Sequence, residues 1–312
     1  MENRELEITI KALRAGLKNH IENTIPEWKQ PTEGKMLRGT LVLLVNKVLG
    51  KENADVDKAL DLATAIEAFH TCSLNVDDAL DDDDTRRGKK ALYLTMSKKE
   101  FMLNTIYQLA VPYGLIARYG RRYVEEAVET QKIMSMGVLE EIKKSFRKDL
   151  PASSVYKTLL EKKTGALFSL AAKYGAMSAT EIEDIITAFS NYGMHLGLAY
   201  QIADDITDFS KVITGEKKPG TEMLLLKCLH IDELVKELIQ DIKTKKVKPS
   251  KALELLDNEE LRSRLLEMVD KEIKDAITSV LPVLLPGERD LVINYSKFCV
   301  TQIFEEAKIS WR

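Results

Sequence analysis

Asp77-Asp78-Ala79-Leu80-Asp81-Asp82-Asp83-Asp84-Thr85-Arg86-Arg87-Gly88 closes a helical pattern that begins at Val56. In that pattern one face recurs at Val56, Ala59, Leu60, Ala63, Ile66, His70 and Ser73, a period of about 3.6 residues. A second run repeats the pattern at Ile182, Ile185, Ile186, Phe189, Gly193, Leu196, Tyr200 and Ala203, and it also ends on aspartates, Asp204-Asp205-Ile206-Thr207-Asp208. Both runs exceed an average helix, which predicts central positions in a large bundle. Each aspartate group reads Asp-Asp-x-x-Asp, so Asp77 and Asp81 share one helix face and Asp204 and Asp208 another. Carboxylates crowded at the carbonyl end of a helix repel one another and oppose its dipole. Two such groups call for something positive between them, and divalent cations that prefer oxygen fit best.

Outward from these runs the pattern stays helical. Further helices are expected near 3–23, 36–49, 100–118, 121–146, 153–176, 222–245, 258–281 and 287–308. None of the breaks between them resembles a long flexible linker, and there is no strand alternation and no repeat of fixed period. With 15 Gly and 8 Pro in 312 residues, breakers are few, which favours helices over many short strands. The expected fold is all-α: one domain over 1–312, a large antiparallel bundle.

The charge balance is −3, so no global field draws the chain to nucleic acid or to an anionic membrane. Any anion site is local. Cys72, Cys228 and Cys299 lie far apart without metal spacing, which suits a reducing cytoplasm. The start, Met1-Glu2-Asn3-Arg4-Glu5, is too polar for a secretion signal. Apolar stretches such as 41–45 are far too short to span a bilayer, so no integral membrane protein is expected.

Several smaller features carry charge into this frame. An EF-hand reading of the acidic run fails, because neither the loop glycine nor the terminal glutamate is present. Arg86-Arg87-Gly88 follows the run directly. Carboxylates that hold a cation beside guanidinium groups suit a diphosphate, whose oxygens divide between metal and arginine forks. Lys35 and Arg38, in Gly34-Lys35-Met36-Leu37-Arg38, share a face at a helix start, which reads as an anion site or as an ordinary surface helix start. His70 stands two turns before Asp77, as a core histidine or a site residue. Lys163-Thr164 enters an apolar stretch, where a lysine also simply snorkels. Gln201 on an inner face needs a polar partner.

Taken in order, these pieces resemble the trans-type polyprenyl diphosphate synthases. The resemblance rests on Gly34-Lys35-x-x-Arg38, on Glu67-x-x-His70-x-x-Ser73-Leu74-x-x-Asp77-Asp78-x-x-Asp81 with Arg86-Arg87-Gly88, on Lys163-Thr164-Gly165-Ala166-Leu167, and on Tyr200-Gln201-x-x-Asp204-Asp205-x-x-Asp208-Phe209. It implies an isoprenoid synthase-like bundle around a deep central cavity, usually a homodimer. It implies that Asp77, Asp81 and Asp204 hold three Mg²⁺ ions, with Asp78 and Asp208 in support. Arg86, Lys163 and Lys218 would bind the allylic diphosphate. Lys35, Arg38, His70 and Arg87 would bind isopentenyl diphosphate, and Thr164 and Gln201 would line the reacting carbon, with Lys163 beside them in the catalytic set. The implied activity is head-to-tail condensation of these two substrates. A catalytically silent partner subunit and a class I terpene cyclase are the competing readings. The intact motifs oppose the first, and the second diphosphate pocket opposes the other.

The chain also departs from that pattern. Gly39 stands where the family usually has proline, and Asn75-Val76 where it usually has Ile-His. Between Lys99 and Tyr119 there is no Gly-Asp pair, and the stretch 215–227 differs, which bears on Lys218. In the family, bulky aromatics four and five residues before the first aspartate stop growth at C15. Here those positions are Ser73 and Cys72. A linear product of C20 to C25 is therefore expected, with Phe69 or a residue of a facing helix as the lower stop; a C15 farnesyl product is the alternative.

Overall fold

The computed structural model describes residues 2–143, 151–214, 224, 225, 228 and 259–307. Ten α-helices of at least nine residues lie among them: α1 (Glu2–Thr24), α2 (Leu37–Gly50), α3 (Val56–Leu80), α4 (Lys98–Ile116), α5 (Arg121–Ile142), α6 (Ala152–Leu160), α7 (Ala166–Ala179), α8 (Glu183–Thr214), α9 (Glu259–Val280) and α10 (Pro286–Glu306). The fold is all-α, as the periodicity requires. Helix starts follow capping chemistry. Asp55 accepts from the Lys58 N–H (3.0 Å) to open α3, and Ser97 and Glu100 form a capping box for α4. No helix among the described residues is long and apolar enough to cross a membrane.

The chain divides into two compact units. The first comprises 1–131, 170–190 and 285–292. In it α3 packs on α1, α2 and α4, and Leu17, Ile21, Leu41, Leu44, Leu62 and Ile66 are fully buried. The second comprises 132–169, 191–284 and 293–312. Its core holds Phe168, Tyr192, Leu196, Phe209, Tyr295 and Phe304. There the start of α7 meets α8 at glycines. A Cβ on Gly197 would lie 2.8 Å from the Gly165 Cα. A Cβ on Gly193 would collide with the Phe168 carbonyl oxygen and stand 2.8 Å from the Phe168 carbonyl carbon and the Ser169 Cα. These are backbone atoms that cannot rotate away. Gly193→Ala is expected to destabilise the protein by at least about 2–3 kcal/mol through overpacking. Chemical denaturation checks this, and an unchanged midpoint would refute it.

Three local features differ from the sequence reading. The stretch expected as one helix over 153–176 contains a π turn, Glu161–Gly165, between α6 and α7. One extra residue in a turn barely disturbs an apolar period, so the pattern does not reveal it. The second aspartate motif does not end its helix. α8 runs on to Thr214, because Phe209 and Val212 continue the buried stripe and Lys211 offsets Asp208 at 2.9 Å. The gap after α3 holds a small hairpin, Thr85–Arg86 paired with Lys89–Lys90. Its two-residue turn has Arg87 at φ 53° and Gly88 at φ 74°, the backbone of a type I′ turn. The helix expected at 222–245 falls almost wholly outside the described residues, as does Lys218.

Candidate functional site

In the first unit the site forms where α3 ends. Asp81 caps the helix, its N–H donating to the Asp77 carbonyl. Asp77 is half-buried and Asp81 exposed. Asp78, one residue and about 100° round the helix, is 1% exposed. Its Oδ1 accepts from the Arg86 Nε at 2.7 Å and from the same guanidinium's Nη2. Its buried Oδ2 has no hydrogen-bond partner among the described residues. The hairpin thus returns Arg86 to the helix that bears the acids, and Asp78 fixes it there.

Beside the acids lies a cationic group. Arg38, buried on the first turn of α2, has Nη1 3.0 Å from His70 Nε2. A guanidinium has only donors, so Nε2 accepts and the proton of His70 sits on Nδ1. Burial, then the charges of Arg38, Arg87 and Arg86, hold the His70 pKa well below its ordinary value. Arg87 lies across Gly34, where a Cβ would stand 2.5 Å from its Nη2. Gly34 is therefore small so that a guanidinium can cross it. Lys35, the next residue, is half-buried. Arg38, His70 and Arg87 thus lie together, and Lys35 follows the glycine that Arg87 crosses.

Glu67 and Asn75 account for two of the departures. The Gly39 N–H donates to Glu67 Oε1 at 2.7 Å, a bond that proline cannot make. Burial raises the Glu67 pKa, opposed by that N–H and then by Arg38, Arg87 and Arg14. Asn75 is buried in an amide network, donating to Gln108 Oε1 (3.0 Å) and Gln30 Oε1 (3.2 Å). A cavity of about 110 Å³ opens beside it, lined by Asp78, Arg86, Arg87, Lys89 and Lys90 among others. Sequence reasoning assigned none of Glu67, Asn75, Gln30 or Gln108 a role. The polar residue at a buried helical position was the available signal for Asn75.

The residues named for product length all lie on α3, and two of them, Phe69 and Cys72, meet α4. Phe69 is buried against Tyr113, edge to face, with centroids 5.0 Å apart. Cys72 is buried with Sγ 3.8 Å from the Thr105 carbonyl, and burial pushes its thiol up to about 11. Ser73, half-buried, donates to the His70 carbonyl at 2.8 Å.

In the second unit the site is built by the π turn and α8. Thr164 donates to Gln201 Oε1 at 2.6 Å. Gln201 Nε2 is 2.9 Å from Asp205 Oδ1 and 3.4 Å from Asp204 Oδ2. Tyr156 on α6 donates to Asp205 Oδ2 at 2.6 Å. Burial, then the Asp205 charge, raises the Tyr156 pKa well above the ordinary phenol value, so it remains a donor. Lys162 pairs with Glu140 at 2.7 Å and Lys163 with Glu141. Gln201 thus has the polar partners its position demands. Tyr156 and Glu141 were not foreseen, although Tyr156 precedes Lys163 by seven residues, close to two helical turns.

The aspartates offer hard oxygen donors without His or Cys, a set suited to Mg²⁺ rather than Zn²⁺, and the buried Asp78 Oδ2 has no hydrogen-bond partner among the described residues. Among the described residues, the one group of three metal-capable side chains with ligand atoms within 4.8 Å of one another lies elsewhere, at His195, Glu272 and Asp275. That group is internally balanced: His195 bonds Glu272 at 2.7 Å, and Lys271 reaches Glu272 and Asp275 at 3.5 and 3.4 Å.

Comparison with known proteins identifies the family. The profile of the polyprenyl synthetase family matches residues 22–275. A geranylfarnesyl diphosphate synthase of Methanosarcina mazei is 27% identical over 259 residues, 82% of this chain and 84% of that protein. A short chain isoprenyl diphosphate synthase of Methanocaldococcus jannaschii is 30% identical over 259 residues, 80% of this chain and 73% of that one. Among solved structures, a geranylgeranyl pyrophosphate synthetase from Pyrococcus horikoshii superposes with a TM-score of 0.77 at 25% identity, covering 96% of this chain and 99% of that chain.

Proposed function

Because the chain belongs to the polyprenyl synthetase family, we propose that it condenses isopentenyl diphosphate with an allylic diphosphate and releases a linear trans-prenyl diphosphate of C20 to C25. The observation that carries this reading is the Arg38–His70 pair, 3.0 Å apart, with the charge of Arg87 also acting on His70. A terpene cyclase handles one diphosphate and has no use for a second cationic pocket. A silent subunit has no use for two intact aspartate motifs.

In this reading Asp77, Asp81 and Asp204 hold three Mg²⁺ ions, with Asp208 in support and Asp78 acting through Arg86. Bound Mg²⁺ supplies charge neutralisation for the leaving diphosphate. Arg86, Lys163 and Lys218 take further oxygens of that group. Lys35, Arg38 and Arg87 bind isopentenyl diphosphate, and neutral His70 offers its Nδ1–H to a phosphate oxygen. The allylic C–O bond breaks and the double bond of isopentenyl diphosphate supplies the electron pair of the new C–C bond. A proton then leaves to the departing diphosphate. Thr164 and Gln201 face the reacting carbon with oxygen lone pairs, and no side chain acts as nucleophile.

The three cysteines are free thiols, in keeping with a reducing cytoplasm. α4 exposes Met102, Leu103, Ile106 and Tyr107, an apolar stripe that a second copy would cover in a homodimer. The test is incubation with Mg²⁺, isopentenyl diphosphate and each allylic starter, followed by chain-length analysis. Cyclic products, or none, would overturn the proposal. Lys35→Ala and Arg38→Ala are expected to raise KM chiefly for isopentenyl diphosphate, each losing a charge-assisted contact worth about 1.5–3 kcal/mol. A larger rise in the allylic KM would reverse the assignment of the pockets.

A further inference from the structure

We infer that Tyr156 is a positioning residue for this reaction, and that Asp205 serves as the anchor it holds rather than as a metal ligand. The inference rests on the prenyl-transfer reading above. Its basis is the direction of four hydrogen-bonding groups within one unit. Tyr156, 2% exposed, donates to one oxygen of Asp205 at 2.6 Å. Gln201 donates to the other at 2.9 Å, and Thr164 donates to the carbonyl end of Gln201 at 2.6 Å. Every donor in the series points toward Asp205. A primary amide has distinct ends, so Gln201 cannot flip without setting its carbonyl oxygen against the Asp205 carboxylate and losing that partner. Thr164 has its proton committed to Gln201, which leaves its lone pairs for a developing positive charge.

Helix geometry separates Asp205 from its neighbours. Gln201 and Asp205 form one i, i+4 stripe of α8, while Asp204 and Asp208 form the adjacent one. Asp205 is 7% exposed, and each of its oxygens already accepts a hydrogen bond. The arrangement leaves metal binding to Asp204, with Asp208 in support, and gives orientation to Asp205. Removing the Tyr156 hydroxyl takes one hydrogen bond from a buried carboxylate oxygen and loosens the hold on Asp205, and with it on Gln201.

Steady-state kinetics with a Mg²⁺ titration of the full chain tests this. In Tyr156→Phe, kcat is expected to fall about tenfold to hundredfold from misplacement of the reacting groups. KM for isopentenyl diphosphate and the Mg²⁺ half-saturation should each stay within about twofold, because uniform binding is untouched. Asp205→Ala should lower kcat at least as far. Asp205→Asn still accepts from Gln201 and donates its amide to the Tyr156 oxygen, so it should recover at least about tenfold over Asp205→Ala. An unchanged kcat in Tyr156→Phe would reduce Tyr156 to a packing residue. If that variant does not fold, the Asp205 variants decide: an Asp205→Asn kcat no higher than that of Asp205→Ala, or a Mg²⁺ half-saturation raised by more than about a hundredfold in Asp205→Asn, would overturn the inference. A wild-type chain without prenyl transfer would instead overturn the functional reading and take this inference with it.

Discussion

Asp77→Ala and Asp204→Ala are each expected to lower turnover by about 10²–10³-fold or more while leaving the helices in place. The reason is electrostatic. A carboxylate that holds a cation over the leaving diphosphate acts only as charge develops, and losing one such preorganised group forfeits at least about 3–4 kcal/mol. The fold should survive because Asp77 is only half-buried and Asp204 likewise reaches the surface. Asp78→Ala should behave differently. It removes a buried partner of Arg86, so lost stability should accompany lost activity. Circular dichroism beside turnover separates the two classes. Near-normal turnover in Asp77→Ala or Asp204→Ala, or full activity in EDTA, would refute the role given to the motifs.

The second large effect is expected in the product rather than the rate. Ser73 lies one turn below Asp77 and within about 40° of it on the helix, so a growing tail that runs down α3 from Asp77 passes it. Ser73→Phe should fill that path and shorten the product toward C15. Cys72→Phe should act in the same direction but less directly, because the Cys72 side chain is turned to the α4 backbone at Thr105. Phe69→Ala should lengthen the product, since it removes the ring that packs edge-on against Tyr113. Such a truncation leaves a cavity at a cost of about 3–5 kcal/mol if nothing refills it, so the longer tail and a lower melting temperature are expected together. Chain-length analysis of the extracted products checks all three. A wild-type chain that releases only C15 would locate the floor on another helix.

Much of the site was legible because its signals are local. Lys35 with Arg38, Asp77 with Asp81, and Asp204 with Asp208 each lie within about a turn, where residue spacing alone sets the shared face. Arg86-Arg87-Gly88 was legible as charge, but its shape was not. A left-handed arginine at φ 53° gives no sign in composition, and arginine is not the usual choice for that turn position. Glu67 was visible as part of a pattern without a purpose. Its purpose appears only when α2 brings the Gly39 N–H to it from 28 residues away.

The sequence by itself determined the all-α class, the two long helices and the faces on which their aspartates lie, because a period of about 3.6 residues expresses the backbone's own geometry. Only the tertiary structure decided which acid is buried against a partner and which is left open. Asp77 and Asp78 are adjacent and chemically identical, as are Asp204 and Asp205. Burial and distant partners divide them: Asp78 is closed over by Arg86 from the hairpin, and Asp205 is held by Tyr156 from 49 residues away. An aspartate's role depends on its surroundings, and those surroundings come from chain segments that local spacing does not relate.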